Sequence, residues 1–313
     1  MMKNKISTVA VVGAGAVGSY FGGLLARAGH VVTLIARNEH VKAIQENGLY
    51  MECQSFQEHV LVMASTQYEA IAEADLILFC VKSPDTESVA KEIKPYLSED
   101  SIILSLQNGV DNCERIKTVL SNPTYPAVVY VATGVAGPGH VKHFGRGELV
   151  IGDPEARKIC FEQLNTLQEF LNSGTVPCSI SANIKYDMWL KFLVNCSYNA
   201  ISGIGQIEYG QMVQSKHIND LIDQIIKEFL AVAEKEGINI SLEQAILANE
   251  QIAKTMTKQK SSTAQDLIKH KKTEIDFLNG YIVRRGVAHQ TSTPANQSVY
   301  ALVKMLEMAY LNN

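Results

Sequence analysis

The chain contains 313 residues, of which 46% are hydrophobic and 19% are charged, and its formal net charge is −4. This composition is typical of a soluble globular protein, and it lacks the basic excess that neutralises a nucleic-acid backbone. The length allows two domains that each bury a core, so a two-domain enzyme is the default expectation.

The sequence predicts neither a membrane anchor nor a metal site. Glycines interrupt the apolar N-terminal stretch, and no later stretch is long enough to cross a bilayer. The six cysteines are scattered, without a Cys-x-x-Cys pair or a cluster with histidine. We therefore expect reduced thiols, a cytoplasmic location, and no nucleic-acid, membrane or metal partner.

The first predicted element is a buried strand, Thr8–Val12, that runs into a glycine-rich turn and then a helical pattern. The spacing G-x-G-x-x-G between strand and helix is typical of dinucleotide binding, although an ordinary tight turn is the alternative. Gly13 would permit the turn, Gly15 the approach of a pyrophosphate, and Gly18 close packing of helix on strand. The predicted cofactor-binding residues of this turn are Gly13, Ala14, Gly15, Ala16, Val17 and Gly18.

The second predicted strand, 31–36, ends at Arg37, the position that selects between the two nicotinamide cofactors. A cofactor with a free ribose 2′-hydroxyl calls for an acidic residue here, whereas a guanidinium pairs with a 2′-phosphate. His40 and Lys42 lie close in sequence and would add positive charge. We therefore predict NADP(H) rather than NAD(H), with an exposed surface arginine as the alternative.

Two further apolar strands, 74–81 and 101–106, are followed by the polar residues Lys82 and Asn108. Ligands bind at the carboxyl ends of the strands in an open parallel sheet. Both side chains are therefore candidates to line the nicotinamide and substrate crevice. The alternative is that they only cap the following helices.

Helical patterns alternate with these strands, which indicates a doubly wound sheet. They cover residues 41–47, 65–73, 85–97 and 111–120. The pattern then changes to short strands separated by Gly-Pro-Gly and Gly-Arg-Gly turns, which predicts an antiparallel extension. These strands are 128–131, 140–144 and 148–151, and a helix around 155–171 and a strand near 175–179 follow.

From residue 183 onward the sequence reads as helices only. The predicted spans are 183–203, 216–236, 241–258, 262–288 with a possible break, and 294–311, the last starting at Thr293-Pro294 with Thr293 as N-cap. We expect an α/β protein: an N-terminal Rossmann-type doubly wound sheet in residues 1–180 and an all-helical C-terminal domain in residues 181–313.

The first of these helices carries a polar stripe, Lys191, Asn195 and Asn199, at four-residue steps between apolar neighbours. Such a stripe suits a cleft with a polar ligand, and we expect it to face the Rossmann crevice. A buried ammonium can protonate a carbonyl oxygen as a hydride reaches the carbon. The alternative is a lysine that reaches to solvent beside two structural amides.

Two more polar segments follow in the helical half. Gln259–Ser262 offers hydroxyl and amide donors for an anion, and Lys272–Gly280 places carboxylates and an amide at a helix start. Taken alone, each has a structural alternative. A serine pair is commonly a helix N-cap, and Glu274 is commonly a solvated first-turn acid.

Taken together, these motifs resemble the ketopantoate reductase (2-dehydropantoate 2-reductase) family over essentially the whole chain. The matching segments are V-V-G-A-G-A-V-G from Val11, Arg37, V-K-S from Val81, Q-N-G from Gln107, W-L-K-F-L-V-N-C-S-Y-N from Trp189, Q-K-S-S from Gln259 and K-T-E-I-D-F-L-N-G from Lys272. The resemblance implies NADPH-dependent reduction of 2-dehydropantoate to pantoate in pantothenate biosynthesis.

The resemblance also implies roles for individual residues. Lys191 takes the role of the general acid, Ser262 holds the substrate carboxylate, and Glu274 contacts the substrate hydroxyl end. The amides that line the substrate site are Asn108, Asn195 and Asn199. The residues that hold NADPH are Gly13, Gly15, Gly18, Arg37 and Lys82, with Asn108 beside them.

One position departs from the family pattern. A third site asparagine of the family falls on Tyr209, ten residues after Asn199, so we expect the pocket near residues 207–210 to have a different shape. Three alternatives stay open: reduction of another branched 2-oxo acid, a β-hydroxyacid dehydrogenase, and a non-catalytic NADPH sensor. A homodimer also stays open. The apolar stripes on the C-terminal helices do not decide the oligomeric state, because such stripes more often form the core of a domain than an interface.

Overall fold

The chain divides into two compact units, Met1–Ile184 and Lys185–Asn313. A computed structural model describes residues 6–157 and 160–311. Part of the helix predicted around 155–171 falls on residues 158 and 159, which lie outside the described residues. No helix within the described ranges combines the length and apolar character needed to span a membrane.

In the first unit, the described residues form a sheet of ten strands. The strands are β1 (Thr8–Val12), β2 (Val31–Ile35), β3 (Leu49–Glu52), β4 (Gln57–Val60), β5 (Met63–Ser65), β6 (Leu76–Phe79), β7 (Ile102–Ser105), β8 (Thr124–Gly137), β9 (His140–Ile151) and β10 (Cys178–Ile180). Their order is β4-β3-β9-β8-β7-β6-β1-β2-β5, and β10 pairs with β9. The path β5-β2-β1-β6-β7-β8 is parallel throughout, which is the Rossmann strand order.

Helices cover both faces of this parallel sheet. They are α1 (Ala16–Arg27), α2 (Asn38–Asn47), α3 (Thr86–Ile93), α4 (Asn112–Lys117) and α5 (Phe161–Ser173). Successive β1 side chains alternate between two cores: Val9 and Val11 pack in one, Ala10 and Val12 in the other. Strands buried on both faces read as continuous apolar runs, which is why β1, β6 and β7 are visible in the sequence.

The antiparallel extension predicted after residue 126 is confirmed, with longer strands. β8 and β9 form one antiparallel pair that turns at Pro138 and Gly139. The predicted turn at Gly-Arg-Gly is wrong: these residues lie inside β9, where the pairing register shifts. Gly145, Arg146 and Gly147 all have positive φ, of 148°, 60° and 146°, so this segment is a bulge within the strand.

The segment between α2 and β6 differs from its prediction. Strands β3 and β4 form an antiparallel pair that carried no sequence signal, and β3 continues in parallel beside β9. The predicted helix over 65–73 is also wrong. It is replaced by the end of β5 and a single 3₁₀ turn, Tyr68–Ile71, in which Ile71 alone is buried. A single buried side chain is not enough to hold a longer helix on the sheet.

The second unit is helical, and no strand occurs within its described residues, 185–311. Its helices begin with α6 (Ile184–Gly205), and the others are α7 (Tyr209–Met212), α8 (Lys216–Lys235), α9 (Leu242–Thr255), α10 (Ser262–Ile268), α11 (Asn279–Ala288) and α12 (Pro294–Leu311). The predicted break within 262–288 is confirmed as the gap between α10 and α11. The parallel-rich sheet and the helical C-terminal part confirm the predicted fold class.

Buried aromatic rings and one buried carboxylate hold these helices together. Trp189 of α6 packs edge-on against Phe229 of α8, with ring centroids 5.6 Å apart. Glu228 accepts hydrogen bonds from the amides of Ala295 and Asn296 at 2.9 and 3.0 Å. α12 begins at Pro294 directly after Thr293, as predicted, and a carboxylate from α8 binds its first amides.

Candidate active site

The three glycines of the first turn meet three different steric environments. A Cβ atom on Gly13, whose φ is +90°, would lie 2.8 Å from the backbone nitrogen of Val81. A Cβ on Gly18 would lie 2.7 Å from the Gly13 carbonyl oxygen and 2.8 Å from Cγ1 of Val11. Gly15 has no atom within 4 Å of its Cβ position. Two glycines therefore permit close packing inside the protein, and the third leaves open space.

This open space lies at the N-terminus of α1. Gly15 is the N-cap of the helix, and the first turn contains no acidic side chain. The first amides of an α-helix lack intrahelical acceptors and attract an anion. An exposed glycine at that point lets a pyrophosphate approach the backbone. The turn therefore fits a dinucleotide cofactor.

A chain of hydrogen bonds connects the glycine-rich turn to the turn between β8 and β9. The Gly139 amide donates to Nδ1 of His40 at 2.9 Å, and Nε2 of His40 lies 3.1 Å from the Ser19 hydroxyl. The Ser19 hydroxyl donates to the Ala14 carbonyl at 3.0 Å. Because Nδ1 accepts a backbone proton, the imidazole is neutral with its proton on Nε2.

The prediction that His40 adds positive charge near the cofactor phosphate is therefore wrong. The side chain is buried, and burial lowers its pKa. Its function in the fold is to join the glycine turn to the β8–β9 turn. Arg37 differs, because it is exposed and precedes the first residue of α2.

Lys82 and Asn108 follow neighbouring parallel strands, as the sequence suggested. β6 and β7 are paired, and each residue lies in the loop after its strand. The two loops are joined where the Ser83 hydroxyl donates to the Asn108 carbonyl at 3.1 Å and Nδ2 of Asn112 donates to it at 2.7 Å. Both side chains are partly exposed. The structure thus brings these two candidates to one edge of the sheet.

A buried polar network beneath these loops was missing from the sequence analysis. Nε2 of Gln107 donates to the Thr86 hydroxyl at 2.8 Å, and that hydroxyl lies 3.0 Å from Oδ1 of Asn112. Arg115 donates to the Ser83 carbonyl at 2.8 Å and pairs with Glu87, whose pKa it lowers. These residue types are common in surface loops, so only the contacts reveal that they hold Lys82 and Asn108 in place.

The polar stripe of α6 passes from a half-buried to a buried environment. Lys191 and Asn195 are partly exposed, whereas Asn199 is 4% exposed. Oδ1 of Asn199 accepts a hydrogen bond from the Tyr209 hydroxyl at 3.2 Å. The residue that departs from the family pattern therefore contacts a predicted substrate residue directly.

The Gln259–Ser262 segment is attached to the C-terminal half of α6. The Ser261 hydroxyl donates to the Asn199 carbonyl at 3.0 Å and accepts from the Ala264 amide at 3.0 Å, which caps α10. The Ser261 amide donates to the Ser202 hydroxyl at 3.1 Å. The capping alternative is thus correct for Ser261. Ser262 is exposed at the first position of α10, where its hydroxyl can contact a ligand.

The Lys272–Gly280 segment is attached to the same helix. Nδ2 of Asn279 donates to the Cys196 carbonyl of α6 and to Oδ1 of Asn296, both at 3.0 Å. Thr273 donates through its amide and its hydroxyl to Glu307, at 2.7 Å each. Glu274 is partly exposed between the buried Thr273 and Ile275. Two sequence-distant motifs therefore meet α6 next to Asn195 and Asn199.

A cavity of about 370 Å³ in the first unit lies apart from all of these residues. Its walls include Tyr20 and His143, whose rings stack at 4.4 Å, together with Arg27 and Arg146. Arg27 is paired with Glu58, and Arg146 lies 3.4 Å from Glu148. None of the predicted cofactor or substrate residues lines this cavity.

Comparison with known families matches both parts of the chain. The family profile described as "Ketopantoate reductase PanE/ApbA" covers residues 9–156, and the profile of its C-terminal domain covers residues 183–307. The chain belongs to the ketopantoate reductase family. The predicted resemblance is confirmed, and the chain is an oxidoreductase like its curated relatives.

Three known proteins show how similar this ketopantoate reductase family protein is to relatives and to solved structures. The 2-dehydropantoate 2-reductase of Lactococcus lactis is 31% identical over 91% of this chain and 93% of the relative. The crystal structure of a ketopantoate reductase from Ralstonia eutropha is 47% identical, covers 97% and 99% of the two chains, and superposes with a TM-score of 0.90. A D-mandelate dehydrogenase solved with NADH and anilino(oxo)acetate is 28% identical at the same coverage, with a TM-score of 0.91. The D-mandelate dehydrogenase is thus a similar fold that binds a pyridine nucleotide, NADH.

Proposed function

We propose that this protein reduces 2-dehydropantoate to pantoate with NADPH, in pantothenate biosynthesis, and that Lys191 is the general acid. The observation that carries the proposal is the attachment of two distant motifs to α6. Ser261 donates to the Asn199 carbonyl and Asn279 donates to the Cys196 carbonyl. The segments that contain Ser262 and Glu274 are therefore both hydrogen-bonded to α6, the helix that carries Lys191. Relatives named 2-dehydropantoate 2-reductase support this choice of substrate.

The cofactor part of the proposal concerns the first unit. The amides at the start of α1 would hold the pyrophosphate next to Gly15, Arg37 would pair with the 2′-phosphate, and Lys82 and Asn108 would bind near the nicotinamide. When bound, NADPH supplies the hydride for the keto carbon. The exposure of Arg37 after β2 supports NADPH over NADH.

The chain's own residues then have these roles toward the substrate. Lys191 donates a proton from Nζ to the keto oxygen while the carbon is reduced. Asn195 and Asn199 hold the substrate in line with Lys191 through their amides. The Ser262 hydroxyl donates to the substrate carboxylate, and the Glu274 carboxylate accepts from the substrate hydroxyl.

Domain division and location belong to the same proposal. We propose residues 1–180 as the cofactor-binding domain and residues 181–313 as the helical catalytic domain. All six cysteines are free thiols, and five of them are buried, which supports a reducing cytoplasm as the site of action. The substrate is a small 2-oxo acid, and a homodimer stays a prediction.

A second candidate is reduction of an aromatic 2-oxo acid. The observation that favours it is the fold similarity to D-mandelate dehydrogenase, whose name describes an aromatic 2-hydroxy acid. The two candidates share the cofactor turn and the acid. They differ in the substituent on the keto carbon.

The test follows NADPH and NADH oxidation with 2-dehydropantoate, other branched 2-oxo acids and phenylglyoxylate. We expect turnover with 2-dehydropantoate and NADPH. Preference for phenylglyoxylate supports the second candidate, and oxidation of β-hydroxy acids in the reverse assay supports a β-hydroxyacid dehydrogenase. NADPH binding without turnover of any substrate supports a sensor and contradicts the proposal.

A further inference from the structure

The segment that carries Glu274 is bound by one face of α12. Tyr300, Lys304 and Glu307 follow each other at steps of four and three residues, so their side chains share a face of the helix. Each of the three makes a polar contact with residues 273–276. The backbone around Glu274 is thus held by a helix that is distant in sequence.

Glu307 holds the residue that precedes Glu274. Its Oε1 accepts hydrogen bonds from the amide and from the hydroxyl of Thr273, both at 2.7 Å. The Thr273 hydroxyl in turn accepts from the Ile275 amide at 3.2 Å. Glu307, Thr273 and Ile275 are buried, whereas Glu274 is partly exposed. One buried carboxylate therefore fixes the chain on both sides of Glu274.

Asp276 provides a second attachment of the same segment. Its Oδ1 accepts from the Tyr300 hydroxyl at 2.7 Å, and its Oδ2 accepts from Nζ of Lys304 at 3.1 Å. Burial opposes ionisation of Asp276, but these two hydrogen bonds lower its pKa overall. Nζ of Lys304 also lies 2.7 Å from Oε2 of Glu307, so one ammonium joins the two attachments.

Stability alone does not account for so many polar contacts. Well-packed apolar residues of similar size often stabilise a fold as well as a buried ion pair does. Directional hydrogen bonds add a fixed position for the backbone that they bind. A carboxylate that accepts from a substrate hydroxyl needs such a position, because a misplacement of about 1 Å can lower the rate about 10²-fold.

We propose that Glu307 is a positioning residue for the substrate site, which holds Thr273 so that the Glu274 carboxylate meets the hydroxyl of 2-dehydropantoate. The inference rests on the proposed function and adds a buried residue of α12 to it. Glu307 acts through Thr273 and Glu274, so its effect is limited to the interactions that Glu274 makes. The affinity for NADPH is independent of it.

The first test replaces Glu307 with glutamine, which keeps the size of the side chain and removes its charge beside Lys304. In Glu307→Gln, kcat/KM for 2-dehydropantoate should fall by about ten- to hundredfold, and the Kd of NADPH should change by less than about twofold. Glu250→Gln is the matched control, because exposed Glu250 pairs with Lys254 at 2.9 Å. It should leave both quantities unchanged.

A double-mutant cycle separates positioning from a general loss of folded protein. In the Glu274→Gln background, adding Glu307→Gln should lower kcat/KM by less than about twofold further, because the group that Glu307 positions has already been altered. A loss of folded protein would instead multiply with the effect of Glu274→Gln.

Two variants of Thr273 test the same contact from its other end. Thr273→Val keeps the branched shape but removes the hydroxyl that binds Glu307 and Ile275, so kcat/KM should fall by about three- to thirtyfold. Thr273→Ser keeps that hydroxyl and should stay within about threefold of the wild-type protein.

The outcomes distinguish the inference from the proposed function. Near-normal kcat/KM in Glu307→Gln, or effects of Glu307→Gln and Glu274→Gln that multiply, would overturn the inference alone. Equal losses in Thr273→Val and Thr273→Ser would likewise overturn it. Unchanged kcat/KM in Glu274→Gln, or no reduction of 2-dehydropantoate by the wild-type protein, would overturn the proposed function and the inference with it.

Discussion

At the scale of single residues, Lys191 is the proposed proton donor. It lies on a helix whose neighbouring side chains Phe192 and Leu193 are fully buried, and it is itself partly exposed. Asn195 and Asn199 follow on the same stripe. This arrangement places an ammonium beside two amides on one helix face, which fits the proposed role of a proton donor to a carbonyl.

Replacing Lys191 with alanine should lower kcat by at least about a hundredfold while NADPH affinity changes little. Steady-state kinetics and a cofactor titration by fluorescence measure the two quantities. Lys185→Ala is the control, since Lys185 is an exposed lysine near the start of α6. Near-normal kcat in Lys191→Ala would show that another group protonates the substrate.

Replacing Arg37 with aspartate should weaken NADPH binding by about ten- to hundredfold and NADH binding far less, because the 2′-phosphate loses a charged partner. Dissociation constants for both cofactors measure the effect. Lys94→Asp reverses an exposed charge elsewhere in the first unit and serves as control. If both cofactors weaken equally, Arg37 does not bind the phosphate.

The element that most directly joins fold to function is the β1–α1 turn. Gly18 brings α1 against the Gly13 carbonyl, and Gly15 leaves open space at the helix start. Gly18 therefore serves packing, and Gly15 leaves the space in which we propose that the cofactor binds, as the motif predicts.

Two alanine variants separate these roles. Gly18→Ala should lower the free energy of unfolding by about 1–3 kcal/mol, because the added methyl group overlaps backbone and Val11. Gly15→Ala should cost less than about 1 kcal/mol but weaken cofactor binding, since its methyl enters the open space. Urea unfolding and cofactor titration check both. The assignment is wrong if Gly15→Ala is the less stable variant or binds cofactor normally.

At the scale of the whole molecule, each unit is held together by polar contacts between residues distant in sequence. In the first unit, His40 joins the glycine turn to the β8–β9 turn. In the second, Asn279 joins α11 to α6 and α12. These buried polar groups stabilise the fold around the candidate site. A buried group that loses its partner is left unpaired, which lowers the free energy of unfolding.

The pH dependence of stability follows from His40. Its pKa is lowered by burial, so the unfolded chain binds a proton that the folded chain does not. Its contribution is present above about pH 6.5 and is lost as the pH falls through the lowered pKa. Thermal melts should thus show a falling Tm below about pH 6.5. In His40→Gln, whose amide can both accept and donate, this part of the loss should be absent.

The same thermal melts also report on a carboxylate, which can be compared with His40. Arg115 lowers the pKa of Glu87, so the stability from this pair is lost only at more acidic pH. The His40→Gln variant should still lose the stability of the Arg115–Glu87 pair at that more acidic pH. If Tm falls between neutral pH and about pH 5 by the same amount in His40→Gln as in the wild-type protein, His40 is not the source of that fall.

Periodicity and spacing were enough to predict the long elements of this fold. β1, β6 and β7 are continuous apolar runs because helices cover both sheet faces, and α6, α8 and α12 are long enough to show a helical pattern. The short elements β3, β4 and α7 were not predicted. Each of these segments has four residues and lacks the continuous apolar run of β6 and β7, so its structure depends on the neighbours that it contacts.

By itself, the sequence determined the fold class, the glycine turn, the candidate acid Lys191 and the family, because these depend on local pattern and on motifs in order. Tertiary structure alone decided that His40 is a neutral buried link, that Ser261 caps α10 and leaves Ser262 exposed, and that Tyr209 binds Asn199. The physical reason is that burial and hydrogen-bond partners are set by residues far apart in the chain. The same side chain can be a charge, a cap or a ligand-binding group until its partners are known.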